Sequence, residues 1–94
     1  MVHEEDVEVE LFIPNAQAME ILGIKEAQYS TDLRVLRGLR DRREITEDFD
    51  SYPYDPCLSP EAFSILKRYR QLVRQAGARQ AVNQIKREYG NQRE

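Results

Sequence analysis

The stretch Glu20–Ser30, "EILGIKEAQYS", ends one predicted helix and begins another within a few residues. Apolar side chains precede it at helical spacing, and Gly23 supplies the positive φ at which a helix ends with little steric cost. Ile24 follows directly, and we expect it to pack into the core. A more polar helix then begins at about Lys25 or Glu26. The stretch therefore predicts two helices joined by a short turn.

The two helices have distinct faces. The first is predicted to begin with Asn15 as its N-cap, because an Asn side chain can accept from an amide of the first turn. Its apolar stripe contains Ala18, Met19 and Leu22, with Ala16 at its edge. The second is predicted to end near Leu36. Its inner face carries Tyr29, Leu33 and Leu36, and its outer face carries Ala27, Gln28, Thr31 and Arg34.

Apolar and polar residues alternate over residues 7–13, "VEVELFI". A period of two is typical of a strand with one buried face, and Pro14 is expected to end it. We expect this strand to pair with a wing, the hairpin that we predict for the segment after the second helix. Its free edge is a possible homodimer contact, although Glu8 and Glu10 oppose edge pairing.

Residues 37–58, "RGLRDRREITEDFDSYPYDPCL", are too interrupted by acids and prolines for a helix of that length. A long connection in a small domain is usually functional or contains short strands. We predict a β-hairpin wing, with one arm near Arg43–Thr46, a tip over residues 47–51 and a return near Tyr52–Leu58.

Two further helices complete the predicted chain. Ser59 at the N-cap, Pro60 at the first helical position and Glu61 in the first turn are three agreeing start signals. The apolar stripe of this third helix contains Ala62, Ile65, Leu66, Tyr69, Leu72, Val73 and Ala76. Gly77 is expected to close it. A fourth helix, Ala78–Tyr89, carries on one side Ala78, Ala81, Val82, Ile85 and Tyr89, and residues 91–94 are expected to fray.

Charge is distributed unevenly along the 94 residues, whose net charge is −3. Residues 1–10 carry five acids and no Lys or Arg, whereas residues 60–94 carry eight bases and three acids. An acidic protein is not an obvious nucleic-acid partner. A local basic surface still binds phosphates, because charges act over a screening length of about 8–10 Å.

The composition argues against an enzyme. Cys57 is the only cysteine and His3 the only histidine, so an intrachain disulfide is impossible and a zinc site of the Cys/His type lacks ligands. We expect no cofactor and no metal. No run of about 18 apolar residues predicts a membrane span, and the N-terminal residues do not resemble a secretory signal. A cytoplasmic location is the resulting expectation.

Two anchors, Leu22-Gly23-Ile24 and Ser59-Pro60-Glu61-Ala62-Phe63, resemble the DNA-binding domain of MerR-type regulators and related excisionases. The resemblance covers roughly residues 15–89. It implies a mainly α fold with a small β-sheet, a single winged helix-turn-helix domain over residues 1–94. Its parts would be an acidic strand arm (1–13), a helix-turn-helix (15–37), a wing (38–58) and two further helices (59–90).

The chain departs from that family at positions expected to face DNA. The family usually has Arg-Tyr-Tyr in its second helix where this chain has Ser30, Thr31 and Asp32. The wing carries Asp50 and Asp55 where arginines would help. Acids at these positions are expected to oppose phosphate binding.

The resemblance implies a sequence-specific transcription regulator or a recombination accessory factor that binds double-stranded DNA, as a monomer, a homodimer or a head-to-tail oligomer. The second helix would enter the major groove, with Gln28 facing adenine and Arg34 facing guanine. The expected DNA-binding residues are Lys25, Gln28, Ser30, Thr31, Arg34, Arg37, Arg42 and Arg43. Further phosphate contacts are expected from Tyr54, Lys67 and Arg70. The alternative is a protein-interaction adaptor that keeps the fold without binding DNA.

Overall fold

A computed structural model of the chain describes residues 12–90. Within this range the chain forms strand β1 (Ile13–Pro14), helix α1 (Asn15–Leu22), helix α2 (Glu26–Asp41), strand β2 (Cys57–Leu58), helix α3 (Pro60–Ala76) and helix α4 (Ala78–Tyr89). The strands pair antiparallel, with Ile13 opposite Leu58. The prediction of a mainly helical protein with a small β-sheet is confirmed.

Some expectations fall on residues that the structure does not describe. The strand predicted over residues 7–13 is seen only at its last residue, which pairs as expected with the segment after α2. Residues 7–11, the edge proposed for a homodimer and the fraying of residues 91–94 lie outside the described residues. None of the helices within residues 12–90 is long and apolar enough to cross a membrane.

The turn between α1 and α2 forms as the sequence predicts. Gly23 adopts a left-handed conformation with φ of 69°. The amide of Ile24 donates to the carbonyl oxygen of Met19 (3.1 Å), which closes the end of α1. Arg74 of α3 donates to the carbonyl oxygen of Leu22 (2.8 Å). One more carbonyl at the end of α1 is thereby satisfied, and α1 is linked to α3.

The predicted N-cap role of Asn15 is wrong. Pro14 occupies the cap position, and Asn15 is already the first residue of α1, one position too late to cap it. Its side chain instead donates to the carbonyl oxygen of Asp55 (2.9 Å). It also accepts from the hydroxyl of Tyr29 (2.6 Å). Asn15 therefore joins α1 to α2 and to the loop that follows α2.

The predicted apolar stripes form the core. Buried residues include Ala18, Leu22, Tyr29, Leu33, Leu36, Ala62, Ile65, Leu66, Tyr69, Leu72, Ala81 and Ile85. Ile24 packs against this core, as expected. The prediction fails at Ala16, Ala76 and Ala78, which are exposed. These residues lie near helix ends, where the apolar pattern continues beyond the packed surface.

Helix α2 extends to Asp41, beyond its predicted end at Leu36. The helical spacing continues through Leu39, which is 2% exposed and prolongs the inner face. The boundary predicted between the helix-turn-helix (15–37) and the wing (38–58) is therefore wrong. The helix ends when Arg43 turns to a φ of 63° and the amide of Glu44 donates to the carbonyl oxygen of Leu39 (2.8 Å).

The predicted β-hairpin wing is not formed. Residues 43–46 are not a strand, and Cys57–Leu58 pairs with β1 instead. Residues 42–56 form a loop, here called the α2–β2 loop, that folds back onto the core. Phe49, placed at the exposed tip by the prediction, is 0% exposed, and Ile45 is 1% exposed. Burying these two side chains holds the loop against the helices, so it does not project from them.

Arg40 fixes the path of the α2–β2 loop. Its Nη1 donates to the carbonyl oxygens of Phe49 (2.8 Å) and Ser51 (2.9 Å). Its guanidinium carbon lies 4.7 Å from the centre of the Tyr52 ring, within cation–π range. Its Nη2 pairs with Asp41 (2.9 Å). Arg40 therefore supports the α2–β2 loop from within the protein.

Two acids of the α2–β2 loop, Asp50 and Asp55, have local structural partners. Asp55 accepts from the amide of Tyr52 (2.9 Å). Asp50 accepts from the hydroxyl of Ser59 (2.7 Å). Ser59 in turn accepts from the amide of Ala62 (3.1 Å), which confirms its N-cap role at the start of α3. Asp50 and Asp55 thus stabilise the turn and the cap.

Helices α3 and α4 are joined at the surface by an ion pair with two hydrogen bonds. Arg68 donates from Nε to Glu88 Oε1 (2.9 Å) and from Nη2 to Oε2 (2.7 Å). These hydrogen bonds, with one from Gln84, lower the pKa of Glu88 from its ordinary 4.5 to about 2. The carboxylate therefore stays charged in the folded protein at pH values where it would be protonated in the unfolded chain.

We predict that Phe49→Ala destabilises the protein by about 3–5 kcal/mol, because it deletes a fully buried ring. Tyr54→Ala in the same loop is the matched control, since Tyr54 is 96% exposed, and its effect should stay within about 0.5 kcal/mol. Urea unfolding measures both. Equal, small effects would mean that the loop projects from the core as a wing.

We predict that part of the stability is lost as pH falls from 4.5 towards 2. Because the pKa of Glu88 is lower in the folded protein, the ionised carboxylate stabilises the folded state. This stabilisation is complete above pH 4.5 and is lost as the pH falls through about 2. Melting temperatures across this range should fall less steeply for Glu88→Gln than for the wild type. Parallel curves would contradict the assigned pKa.

Candidate nucleic-acid interface

The outer face of α2 is exposed and carries small or polar side chains. Its exposed members are Ala27, Gln28, Ser30, Thr31 and Arg34, and Lys25 lies exposed just before the helix. Thr31 donates to the carbonyl oxygen of Ala27 (2.9 Å), so its hydroxyl proton is used within the helix. Neither Lys25 nor Arg34 forms an ion pair with another described residue. The structure therefore brings most of the predicted DNA-binding side chains onto one surface.

Arg37 lies at the edge of this surface, beside the α2–β2 loop. It is half-buried, and its Nη1 lies 3.4 Å from the hydroxyl oxygen of Ser51. Burial lowers the pKa of Arg37, and the charges of Arg40 and Arg34 lower it further. Three guanidinium groups thus lie near one another on the C-terminal part of α2. The carboxylates of Asp41 and Asp55 act on the pKa of Arg37 in the opposite direction, so they offset part of this positive charge.

Two exposed arginines follow the end of α2. The side chain of Arg42 lies alongside the helix next to Gly38. A Cβ atom built at Gly38 would be 3.3 Å from Nη1 of Arg42. Arg42 also pairs with Glu44 (3.4 Å). Arg43 has a φ of 63°, the left-handed region that L-residues other than Gly, Asn and Asp adopt at a cost of about 1–2 kcal/mol. An arginine occupies a position where glycine would be more stable, and such strain is concentrated at functional sites.

A second group of cations lies on α3, around a cleft of about 110 Å³ next to the end of α1. Its lining residues are Ile21, Leu22, Lys67, Arg70, Gln71 and Arg74. Lys67 is exposed, as its predicted phosphate contact requires. Arg74 is exposed as well, while one of its nitrogens binds the carbonyl oxygen of Leu22.

Arg70 does not fit the predicted phosphate contact. Its side chain is only 11% exposed, and its Nε lies 2.7 Å from Oδ2 of Asp32. The two groups face each other as a buried ion pair, although the atoms lack the alignment of a hydrogen bond. The charge of Arg70 is therefore directed into the protein, towards α2.

Asp32 is not on the DNA-facing side of α2, contrary to the expectation from the family pattern. It is 1% exposed. Gln28, one helical turn earlier, donates to its Oδ1 (2.8 Å). Burial raises the pKa of Asp32, whereas the hydrogen bond from Gln28 and the charge of Arg70 act in the opposite direction. The carboxylate therefore faces Arg70 inside the protein, and it restrains an exposed glutamine.

Tyr54 completes the predicted candidates. Tyr54 is 96% exposed in the α2–β2 loop, so it is accessible for the phosphate contact that remains a prediction. Cys57 is half-buried in β2.

The phenol of Tyr29 is structural. Burial raises the pKa of Tyr29 to about 12, and its hydroxyl donates a hydrogen bond to Asn15. Among residues 12–90 no group of His, Cys, Asp or Glu could hold a metal ion.

Sequence reasoning missed two residues that shape this surface. Arg40 supports the α2–β2 loop, and its place on the inner side of α2 follows from the spacing that continues through Leu39. Asp32 was assigned from a family pattern, although it lies three residues after Tyr29 and one before Leu33, both on the inner face. That spacing was a usable signal for its burial. The identity of its partner, Arg70, left no signal in local sequence.

Comparison of the chain with protein-family models, with curated protein sequences and with solved structures gave no match. The candidate interface accordingly rests on the geometry described above. It consists of the outer face of α2, the exposed arginines at its end and the exposed cations of α3.

We predict that Arg43→Gly stabilises the protein by about 1 kcal/mol, because glycine adopts a positive φ without steric cost. Arg42→Gly is the control. Its φ of −87° is accessible to any residue, so glycine there gains nothing and adds chain entropy to the unfolded state. Urea midpoints should therefore move in opposite directions. A destabilised Arg43→Gly would show that the arginine side chain makes a contact that outweighs its strain.

Proposed function

We propose that the protein is a small DNA-binding protein of the helix-turn-helix type, a transcription regulator or a recombination accessory factor acting in the cytoplasm. Helix α1, the Gly23 turn and α2 would form the helix-turn-helix, with α2 in the major groove. The observation that carries the proposal is the exposed outer face of α2, which ends in arginines. The α2–β2 loop would take the position of a wing without being a hairpin.

The dimensions of α2 suit a recognition helix. Its 16 residues span about 24 Å at the standard rise of an α-helix. The small side chains of Ala27, Ser30 and Thr31 would let the backbone approach the floor of a groove about 12 Å wide. Residues near the N-terminus of such a helix contact base edges. Arg34, one turn further along, is exposed and long enough to reach a guanine edge or a phosphate.

Exposed cations lie at the C-terminal end of this helix and on α3. Arg42 and Arg43 would contact phosphates at the C-terminal end of α2, and Lys67 and Arg74 would do so from α3. Contacts of this kind position a protein on duplex DNA without reading sequence. Their attraction is local, because screening limits it to about 8–10 Å, so the net charge of −3 does not prevent it.

A second candidate function is supported by the apolar side chains left exposed. Tyr54 is 96% exposed, Phe12 and Tyr52 are each 58% exposed, and Ile21 is 53% exposed. Exposed aromatic residues are enriched in protein–protein interfaces. The alternative is therefore an adaptor that keeps the fold and binds a protein partner. Binding to DNA as a homodimer or as a head-to-tail oligomer remains part of the first proposal.

We predict that the wild type binds duplex DNA of random sequence with an affinity that falls as salt increases. Arg42→Ala and Arg43→Ala should each reduce the slope of log K against log salt by about one, since each removes one phosphate contact. Arg34→Ala should cost about 1–3 kcal/mol on a preferred site and weaken discrimination there. Fluorescence anisotropy over a salt series measures both effects.

Arg79→Ala is the matched control, because Arg79 is an exposed arginine at the start of α4 and no part of the interface. It should leave the slope unchanged. If the wild type shows no salt-dependent binding, the DNA-binding proposal is wrong and the adaptor becomes the better description. Equal effects of all the arginine substitutions would show that binding is diffuse and not centred on α2.

A further inference from the structure

The hydrogen bond between Gln28 and Asp32 fixes which way the glutamine amide faces. A glutamine amide has two N–H donors and one carbonyl acceptor, whereas an ionised carboxylate only accepts. Nε2 of Gln28 must therefore face Oδ1 of Asp32, at 2.8 Å. One donor is consumed by this bond. The exposed side of Gln28 is left with one N–H donor and the Oε1 acceptor.

Arg70 forms an ion pair with the other oxygen of the same carboxylate. Its guanidinium, which can only donate, lies 2.7 Å from the second oxygen of Asp32. The Asp32 side chain is 2% exposed, so water does not compete for it. The carboxylate of Asp32 therefore lies between the positive charge of Arg70, from α3, and an N–H donor from Gln28, on its own helix. The amide of Gln28 therefore cannot rotate by 180°, because its carbonyl oxygen would then face the carboxylate of Asp32.

We propose that Asp32, oriented by Arg70, makes Gln28 select adenine. This inference rests on the proposed function, since it concerns the base that α2 reads. In the major groove adenine presents an acceptor at N7 and a donor at N6, which match one donor and one acceptor. Guanine presents two acceptors, N7 and O6, so Oε1 of Gln28 would face an acceptor. Asp32 and Arg70 are positioning residues and do not touch the base themselves.

Asparagine at position 32 reverses the arrangement. The positive charge of Arg70 still favours an oxygen beside it, so Oδ1 of the asparagine turns to Arg70 and Nδ2 faces Gln28. The amide of Gln28 then presents its carbonyl inward and both N–H donors outward. Two donors match guanine, as they do when arginine reads that base. A single substitution beneath the surface should therefore change the preferred base.

The test is a selection from a duplex DNA pool with a randomised centre, using the wild type, Asp32→Asn and Gln28→Ala. The wild type should enrich adenine at one position, Asp32→Asn should enrich guanine at that position, and Gln28→Ala should lose the preference there. The preference should be about tenfold, which corresponds to about 1.4 kcal/mol. The salt slope should be the same for all three proteins, because no phosphate contact changes.

A chemical probe checks the contact separately. Replacing the selected adenine with 7-deazaadenine removes the N7 acceptor and keeps the base pair. The wild type should bind this duplex about tenfold less tightly, whereas Gln28→Ala should not distinguish it from the unmodified duplex. Thermal melts establish that each variant is folded.

A further variant keeps the test decisive if Asp32→Asn does not fold. Asp32→Leu combined with Arg70→Met replaces the buried ion pair with apolar side chains, a change that proteins often tolerate. Gln28 is then free to turn over, so discrimination between adenine and guanine should disappear. An unchanged adenine preference in either position-32 variant overturns the role of Asp32.

The outcomes separate this inference from the proposed function. Salt-dependent DNA binding without any base preference that responds to Gln28→Ala overturns the inference and leaves the function in place. Absence of salt-dependent DNA binding by the wild type overturns the proposed function, and the inference fails with it.

Discussion

The ion pair between Asp32 and Arg70 is the contact on which the candidate interface depends. It joins α2 to α3 inside the protein, and it removes two charged groups from water. Loss of one partner from such a pair leaves a buried charge uncompensated, which costs about 3–5 kcal/mol. The pair therefore limits how α2 can rotate or slide against α3. Asp32 lies on the same inner side of α2 as the buried Leu33, and Ser30, Thr31 and Arg34 are exposed on the other side.

The same helix supports the loop that follows it. Arg40 projects from α2 to the loop, and Asn15 reaches from α1 to its far end at Asp55. Phe49, whose carbonyl oxygen accepts from Arg40, also buries its ring in the core. The loop, α1 and α2 are consequently attached to one another by both polar and apolar contacts. A partner that contacts α2 would meet a surface whose parts are already ordered, so little conformational entropy would be lost on binding.

Local signals predicted much of the fold, and contacts distant in sequence explain the errors. The stripe of Tyr29, Leu33 and Leu36, the turn at Gly23 and the cap at Ser59 each depend on neighbouring residues, so the sequence specified them. The α2–β2 loop was predicted wrongly because its one buried aromatic residue lies in a run of acids that is typical of a turn. For the candidate site, exposure of the outer face of α2 followed from periodicity. The pairing of Arg70 with a distant residue followed from no local pattern.

The hold of Arg40 on the α2–β2 loop has an evolutionary consequence. Its hydrogen bonds go to the carbonyl oxygens of residues 49 and 51, groups that every amino acid carries. Substitutions at positions 53 and 54 would therefore leave these attachments intact, as long as Arg40 and the buried ring at 49 persist. Homologues of this chain could diversify the surface chemistry of the loop while inheriting its path. Such a segment suits the gain of new binding preferences by successive point mutations, without a matching change in the scaffold.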